Sequence, residues 1–243
     1  MPIDGSWSVW SLDLRGWVPS ADNNSQQIPS VSRISAVPEA KMLNGIAVLN
    51  PATTTGPRAK GNDSEPLLLL ADSTRGIIYS IDVAASNSST NVFYSNPDLL
   101  APTADAAFPT GLNGLQLPPV RNPKHVYFTT GFRGTFFRLE LSQTSPAVAP
   151  AAEPELLAKG YENLDDFALD ADGTAYLSTS VAREIVRVTP SGEETVIFQG
   201  DLVSSGTATL LVERDGKKIL YVNTGSASNF GDGIPGKLVE IWL

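Results

Sequence analysis

The chain has 243 residues, with 17 Lys and Arg against 26 Asp and Glu, a formal net charge of −9. That balance argues against nucleic acid and anionic membrane partners, because both are bound through basic faces. Cysteine is absent and His125 is the single histidine, which excludes disulfides and thiolate sites and makes any Ser-His-Asp triad depend on one residue. No apolar run approaches the roughly 18 residues of a membrane span. Met1–Trp10 lacks the charged-then-apolar layout of a secretory leader, so the expectation is a cytoplasmic chain as it stands, or a secretory one if a segment precedes it.

Taken in chain order, SWSVWSLDL (6–14) and SVSRISAVP (30–38) read as the two outer strands of a blade without its inner pair. LNGIAVLN (43–50), LLLLADSTRGIIYSIDV (67–83) and NVFYS (91–95) follow, with strands predicted at 67–71 and 76–82. The pattern returns in LNGLQL (112–117), HVYFTTGFRGTFFRLEL (125–141) and PELLAKG (154–160), with strands at 125–130 and 134–140. A third copy is LDDFALDADGTAYLSTSVAREIVRVTP (164–190) plus TVIFQG (195–200), with strands at 174–179 and 184–189. The fourth is TATLLVERDGKKILYVNTG (207–225) plus GKLVEIWL (236–243), with strands at 209–213, 218–223 and 237–242.

Alternation of Ile185, Arg187 and Thr189 with Val186 and Val188 is a strand pattern, and DADG and ERDG are hairpin turns. Nothing reads as a long helix. Four short strands recurring in fixed order predict an all-β chain and a β-propeller of about four to five blades, incomplete at its N-terminal side. A β-sandwich is the rival architecture. Open blade edges favour pairing with another chain, hence a dimer. Segments 51–65 and 84–90 read as loops and 142–153 as a connector, all within a single domain, 1–243. Sequons stand at Asn23, Asn62 and Asn87.

Asn44, Asn113 and Asp165 hold the same place in three successive first strands, and the fourth unit is read as having Ala208 there. Equivalent positions on innermost strands converge on a propeller axis, so these three polar groups are expected to face one channel rather than the blade core. The competing reading is strand-opening turn chemistry. Asp72, Thr130 and Thr209 are candidate substrate contacts, although Thr130, Thr179 and Thr224 end equivalent second strands and also read as blade-locking groups. His125 reads as an exposed turn residue, and no G-x-S-x-G elbow is present. Trp7 and Trp10 are expected to pack one face between blades, and Phe132, Phe136 and Phe137 to be core. DADG (170–173) lacks the register of a calcium loop.

GSWSVWSLDLRG (5–16), LNGIAVL (43–49), LLADSTRGIIYSIDV (69–83), TGLNGLQL (110–117), DDFALDADGTAYLST (165–179) and ILYVNTG (219–225) together resemble the fungal branch of the gluconolactonase-like superfamily, which includes regucalcin and strictosidine-synthase-type propellers. The resemblance implies a six-bladed propeller with its site in the central channel, and an N-terminal blade missing from this chain. It places Asn113 and Asp165 on two of the family's divalent-metal ligands and Asn44 on a channel residue that contacts substrate. The family's N-terminal Glu ligand has no counterpart here.

Some fungal members of the group are hetero-Diels-Alderases, so the resemblance implies a metal-free cyclase of secondary metabolism with no cofactor and a small-molecule substrate. The alternatives are a lactone hydrolase using one calcium, zinc or magnesium ion on Asn113 and Asp165, and a non-catalytic scaffold or inactive truncated propeller.

Overall fold

The structure is a computed structural model, and it describes residues 7–17, 29–49, 66–83, 89–106, 110–142, 148–225 and 236–243. β1 (Ser8–Asp13) and β2 (Ser30–Ala36) form a two-stranded antiparallel sheet. The first blade is β3 (Leu43–Leu49), β4 (Leu67–Asp72), β5 (Ile77–Asp82) and β6 (Thr90–Ser95), in that order. A one-turn helix, α1 (Pro97–Leu100), follows; the Asn96 side chain accepts from the Leu99 N–H and caps it. The second blade is β7 (Leu112–Gln116), β8 (His125–Thr130) and β9 (Thr135–Ser142), with β10 (Ala149–Pro150) and β11 (Glu155–Lys159) both paired to β9. The third is β12 (Leu164–Leu169), β13 (Ala175–Thr179), β14 (Glu184–Val188) and β15 (Glu194–Gln199). The fourth has three strands, β16 (Gly206–Arg214), β17 (Lys217–Thr224) and β18 (Leu238–Trp242). The result is a β-propeller arrangement of two four-stranded blades, a five-stranded second blade, a three-stranded fourth and a two-stranded sheet.

Apolar runs are continuous in the middle strands because both faces of a blade are buried. In β4, Leu68 and Leu70 pack toward Val9 and Val37 of the two-stranded sheet, while Leu69 and Ala71 pack toward Leu115 and Phe128 of the second blade. The alternation repeats along the chain. Phe137 faces the first blade and Phe136 the third, where it meets Phe167 edge-on at 4.9 Å. Ile185 and Tyr176 face the fourth blade, against Leu220 and Val222. Burial of these side chains on two sides is the main stabilising term, at about 1.5–3 kcal/mol for each large one.

The ERDG turn joins β16 to β17 with Asp215 and Gly216 both at positive φ, 54° and 71°, the geometry a two-residue hairpin turn needs. Three expectations change. Phe132 lies in the Gly131–Gly134 turn and is 37% exposed. Trp10 is 57% exposed while Trp7 is partly buried, because side chains three apart along a strand point to opposite faces and Trp7 shares the inner face with Val9. His125 is half-buried as the first residue of β8, stacked edge-on against Tyr127. The sequons at Asn23, Asn62 and Asn87 lie outside the described residues.

Candidate functional site at the inner strands

The innermost strands β3, β7, β12 and β16 each carry a bulge near their first residue. Leu43 pairs with Asp72 and Ile46 with Leu70; Leu112 pairs with Thr130 and Leu115 with Phe128. Leu164 pairs with Thr179 and Phe167 with Leu177; Gly206 pairs with Thr224 and Thr209 with Val222. The residues released by each bulge are therefore equivalent: Asn44, Asn113, Asp165 and, in the fourth blade, Thr207. Ala208 does not hold that place, because the shift in β16 falls between Gly206 and Ala208 and leaves Thr207 unpaired.

The structure brings the three predicted residues together. The Asn44 Nδ2 donates to Asn113 Oδ1 at 2.5 Å. The Asn113 Nδ2 donates to the Leu164 carbonyl at 3.5 Å, and the amide faces the neighbouring Asp165 carboxyl, whose charged form it favours. Asn44 is exposed, Asp165 half-buried and Asn113 only 5% exposed. Asn113 thus lies in the wall, with its amide orientation fixed from both sides, and Asn44 is the amide that a solute reaches.

Two glycines make this approach of strands possible. A Cβ on Gly45 would lie 2.4 Å from the Asn113 carbonyl oxygen and 2.7 Å from the Leu115 nitrogen. A Cβ on Gly114 would lie 2.6 Å from Asp166 Oδ1. Thr129 ties the same region together, accepting from the Gly114 N–H at 2.8 Å and donating to the Asp165 carbonyl at 2.5 Å. One blade back, Ser73 Oγ donates to the Leu112 carbonyl at 2.5 Å.

Burial raises the pKa of Asp165 to about 7; the neighbouring Asp166 charge adds to the rise and the Asn113 hydrogen bond opposes it. Burial likewise lifts Asp166 to about 6, against the Phe167 N–H and the Gln116 side chain, which favour its charged form. Asp166 Oδ1 has no hydrogen-bond partner among the described residues, and a buried carboxylate oxygen without a donor favours protonation. His125 stands at the opposite end of β8 from Thr130, beside Arg138, Glu140 and Glu155; it is remote from this carboxyl pair.

Of the other predicted contacts, Asp72 and Thr130 have partners inside their own blade and its lead-in, whereas the buried Thr209 Oγ1 has no hydrogen-bond partner among the described residues. Asp72 is fully buried and accepts from the N–H groups of Lys41, Met42, Thr74 and Arg75 at 2.9, 3.3, 3.1 and 3.1 Å. Thr130 is fully buried and shares a 2.5 Å hydrogen bond with Thr135. Thr179 closes onto both backbone groups of Glu184, and Thr224 onto those of Lys237. Thr209 is 9% exposed and opposes Val222, on the face turned to the third blade. Sequence reasoning missed Asp166, Thr129 and Thr207. The doublets Asp165-Asp166 and Thr129-Thr130 were visible, but which member turns inward depends on the bulge.

A hard divalent cation needs several anionic oxygen ligands. Among the described residues no group of three His, Cys, Asp or Glu side chains is placed to hold one, and both polar atoms of Asn113 are already engaged. The described residues therefore assemble no ligand set of that kind.

Similarity to solved structures defines the class as a β-propeller. A calcium-binding regucalcin from Agrobacterium tumefaciens superposes with a TM-score of 0.51 at 13% identity, over 82% of this chain and 61% of its own. An auxiliary nutrient binding protein from Bacteroides thetaiotaomicron superposes with a TM-score of 0.52 at 10% identity, over 79% of this chain and 47% of its own. A proposed gluconolactonase gives a TM-score of 0.43 at 12% identity, over 72% and 59%. The fold likeness rests on the first two, and the chain spans less than two thirds of the length of each. No family model and no curated protein matches the sequence.

Proposed function

We propose that the chain binds a small organic substrate against the inner strands and acts as a metal-free cyclase of the hetero-Diels-Alder type. The observation that carries this reading is the Asn44–Asn113–Asp165 row, in which the buried Asn113 amide stands between a reachable amide and a carboxyl whose pKa burial raises to about 7. Addition of an alkene to a carbonyl-containing diene makes two bonds and releases no atom, so it requires no nucleophile and no redox step. A wall that holds both partners in reacting geometry removes much of the entropic barrier. Asn44 donates to the carbonyl oxygen of the diene and withdraws electron density as the bonds form. Asp165 exchanges a proton with a substrate hydroxyl near neutral pH, and Asn113 holds both groups in register.

The sequence resemblance of LNGLQL and DDFALDADG to gluconolactonase-like proteins supports lactone hydrolysis as a second reading. In that case Asp165 is the general base for water.

One experiment separates the two. The purified chain is incubated with an ortho-quinone methide generated in situ and an electron-rich alkene, and the adduct is analysed by chiral chromatography. Adduct enriched in one enantiomer is the expected result. Racemic adduct at the background rate overturns the cyclase reading. Opening of a panel of aliphatic and aromatic lactones by the same preparation moves hydrolysis to first place.

A further inference from the structure

The second and third blades carry one cross-strand row in two versions. In the second blade Tyr127 pairs with Arg138, and Arg138 with Glu155. In the third blade Tyr176 pairs with Arg187, and Arg187 with Thr195. Directly opposed residues project from one face of a sheet. Both rows point toward the following blade, since Arg138 shares the face of Phe136 and Arg187 that of Ile185. The second-blade row is closed. Arg138 Nε donates to Glu155 Oε2 at 2.7 Å, and its Nη1 donates to the Pro190 carbonyl of the third blade at 2.9 Å. The third-blade row lacks an acceptor. Thr195 stands where Glu155 stands, and the buried Arg187 Nε has no hydrogen-bond partner among the described residues. No described carboxylate forms an ion pair with Arg187 either.

From this difference between equivalent rows we infer a second binding site, in the outer part of the seam between the third and fourth blades, where Arg187 takes the carboxylate of a small organic acid between the Tyr176 and Thr195 hydroxyls. A buried guanidinium N–H without an acceptor is costly, yet the Arg187 side chain is partly exposed and so reachable from the rim. The ligand class follows from what is missing. The equivalent guanidinium is filled by a carboxylate, and a planar fork of N–H donors matches carboxylate oxygens in pairs. Thr195 in place of Glu155 exchanges an acceptor for a group that donates, so donors stand on three neighbouring strands. Across the seam Lys218 of the fourth blade is tied to Asp170, and Asp172 stands nearby, both carboxylates acting on the Tyr176 phenol. Their negative field favours a singly charged acid over phosphate. The site is separate from the inner strands and independent of the chemistry proposed there: Arg187 lies three residues along β14 from Glu184, which Thr179 holds at the bulged end of the blade.

Titration of the 243-residue chain in a buffer without carboxylates gives the first test. Benzoate is the probe, benzamide its neutral counterpart and inorganic phosphate the anion of higher charge. The Arg187 Nε–H resonance, identified by its loss in Arg187→Gln, is followed by nitrogen-15 NMR. A saturable shift with benzoate, none with benzamide and a weaker response to phosphate are expected. No saturable shift with benzoate, or an equal one with benzamide, overturns the inference. Tighter binding of phosphate overturns the carboxylate assignment.

Substitution tests the residues. Arg187→Gln removes the charge, and calorimetry is expected to show benzoate binding weakened about 10- to 100-fold, the loss of a hydrogen bond to a charged group. Thr195→Glu restores the closed row of the second blade, so the chain supplies its own carboxylate. That variant is expected to lose benzoate binding to the same extent while its melting temperature rises. Either variant binding benzoate as the wild-type chain does overturns the site. Where Arg187→Gln fails to fold, Thr195→Glu decides, because it adds the partner that Arg138 already has: retained benzoate affinity, or a lowered melting temperature, overturns the equivalence on which the site rests.

Discussion

Asn44 Nδ2 donates to Asn113 Oδ1 at 2.5 Å across the seam between the first and second blades. This bond fixes which end of the Asn113 amide is the donor, and the donor end points to the third blade, toward the Leu164 carbonyl and the Asp165 carboxyl. A channel-facing residue had been expected to matter for chemistry and little for stability. Asn113 is 5% exposed and bonded on both sides, so it belongs to the wall.

Asn44 and Asn113 are therefore expected to separate under substitution. Asn113→Ala leaves a buried carbonyl and a buried carboxyl without a donor and should lower stability by about 1–3 kcal/mol. Asn44→Ala removes an exposed amide and should change stability by less than about 1 kcal/mol, while slowing turnover about 10- to 1000-fold if Asn44 polarises the substrate carbonyl. Urea unfolding and product formation on the same two variants check both statements. Equal loss of stability would assign Asn44 to the wall as well.

Gly45→Ala tests the close approach of inner strands. The added Cβ meets backbone atoms at 2.4 and 2.7 Å, which cannot rotate away as a side chain would. Overpacking of this kind costs about 1–3 kcal/mol, so a clear fall in the urea midpoint is expected. Gly216→Ala is the control: its Cβ meets nothing within 4 Å, but φ is +71°, so any loss there reports backbone strain alone.

The strands were legible because local chemistry defines them. β8 occupies His125–Thr130 as predicted, and the β16–β17 hairpin is centred on its Asp-Gly turn. The double-sided apolar run of β4 also marked it as buried on both faces. The repeat was legible to the level of equivalent positions: Asn44, Asn113 and Asp165 follow the same bulge in three inner strands, and Asn44 and Asn113 meet across a seam. What the sequence did not reveal depends on bulges. A one-residue shift in β16 exchanges Thr207 for Ala208 at the equivalent place. Such shifts arise from how strands pair, and no residue type announces them. Asp166 was overlooked for a related reason, since its carboxyl occupies space left by Gly114 on another strand.

Asp72→Ala should be among the most damaging substitutions in the chain. It deprives four backbone N–H groups of their acceptor, and hydrogen bonds to a charged group are worth about 1.5–3 kcal/mol each before compensation by water. A fall in the melting temperature large enough to leave little folded protein at 37 °C is expected. A stable, folded Asp72→Ala chain with impaired substrate binding would instead return Asp72 to the site.

The paired carboxyls make a signed prediction about pH. Asp165 and Asp166 have folded pKa values raised to about 7 and about 6, above the value of about 3.9 for an unfolded Asp. Between these limits the folded chain holds more protons than the unfolded one, so stability falls as pH rises from about 4 through 7 and then levels off. His125 acts in the opposite sense below its ordinary 6.5, because burial lowers its pKa; stability from that group rises with pH toward 6.5. Two carboxyls whose raised values lie within this interval oppose one imidazole, so the net trend is a chain more stable at pH 5 than at pH 8, by roughly 2–4 kcal/mol. Unfolding midpoints across that range provide the check. Asp165→Asn should flatten most of the slope and His125→Gln should steepen it below pH 6.5. A midpoint that climbs steadily from pH 5 to pH 8 in the wild-type chain would mean that both carboxyls ionise freely, and it would remove Asp165 as a group poised for proton transfer at neutral pH.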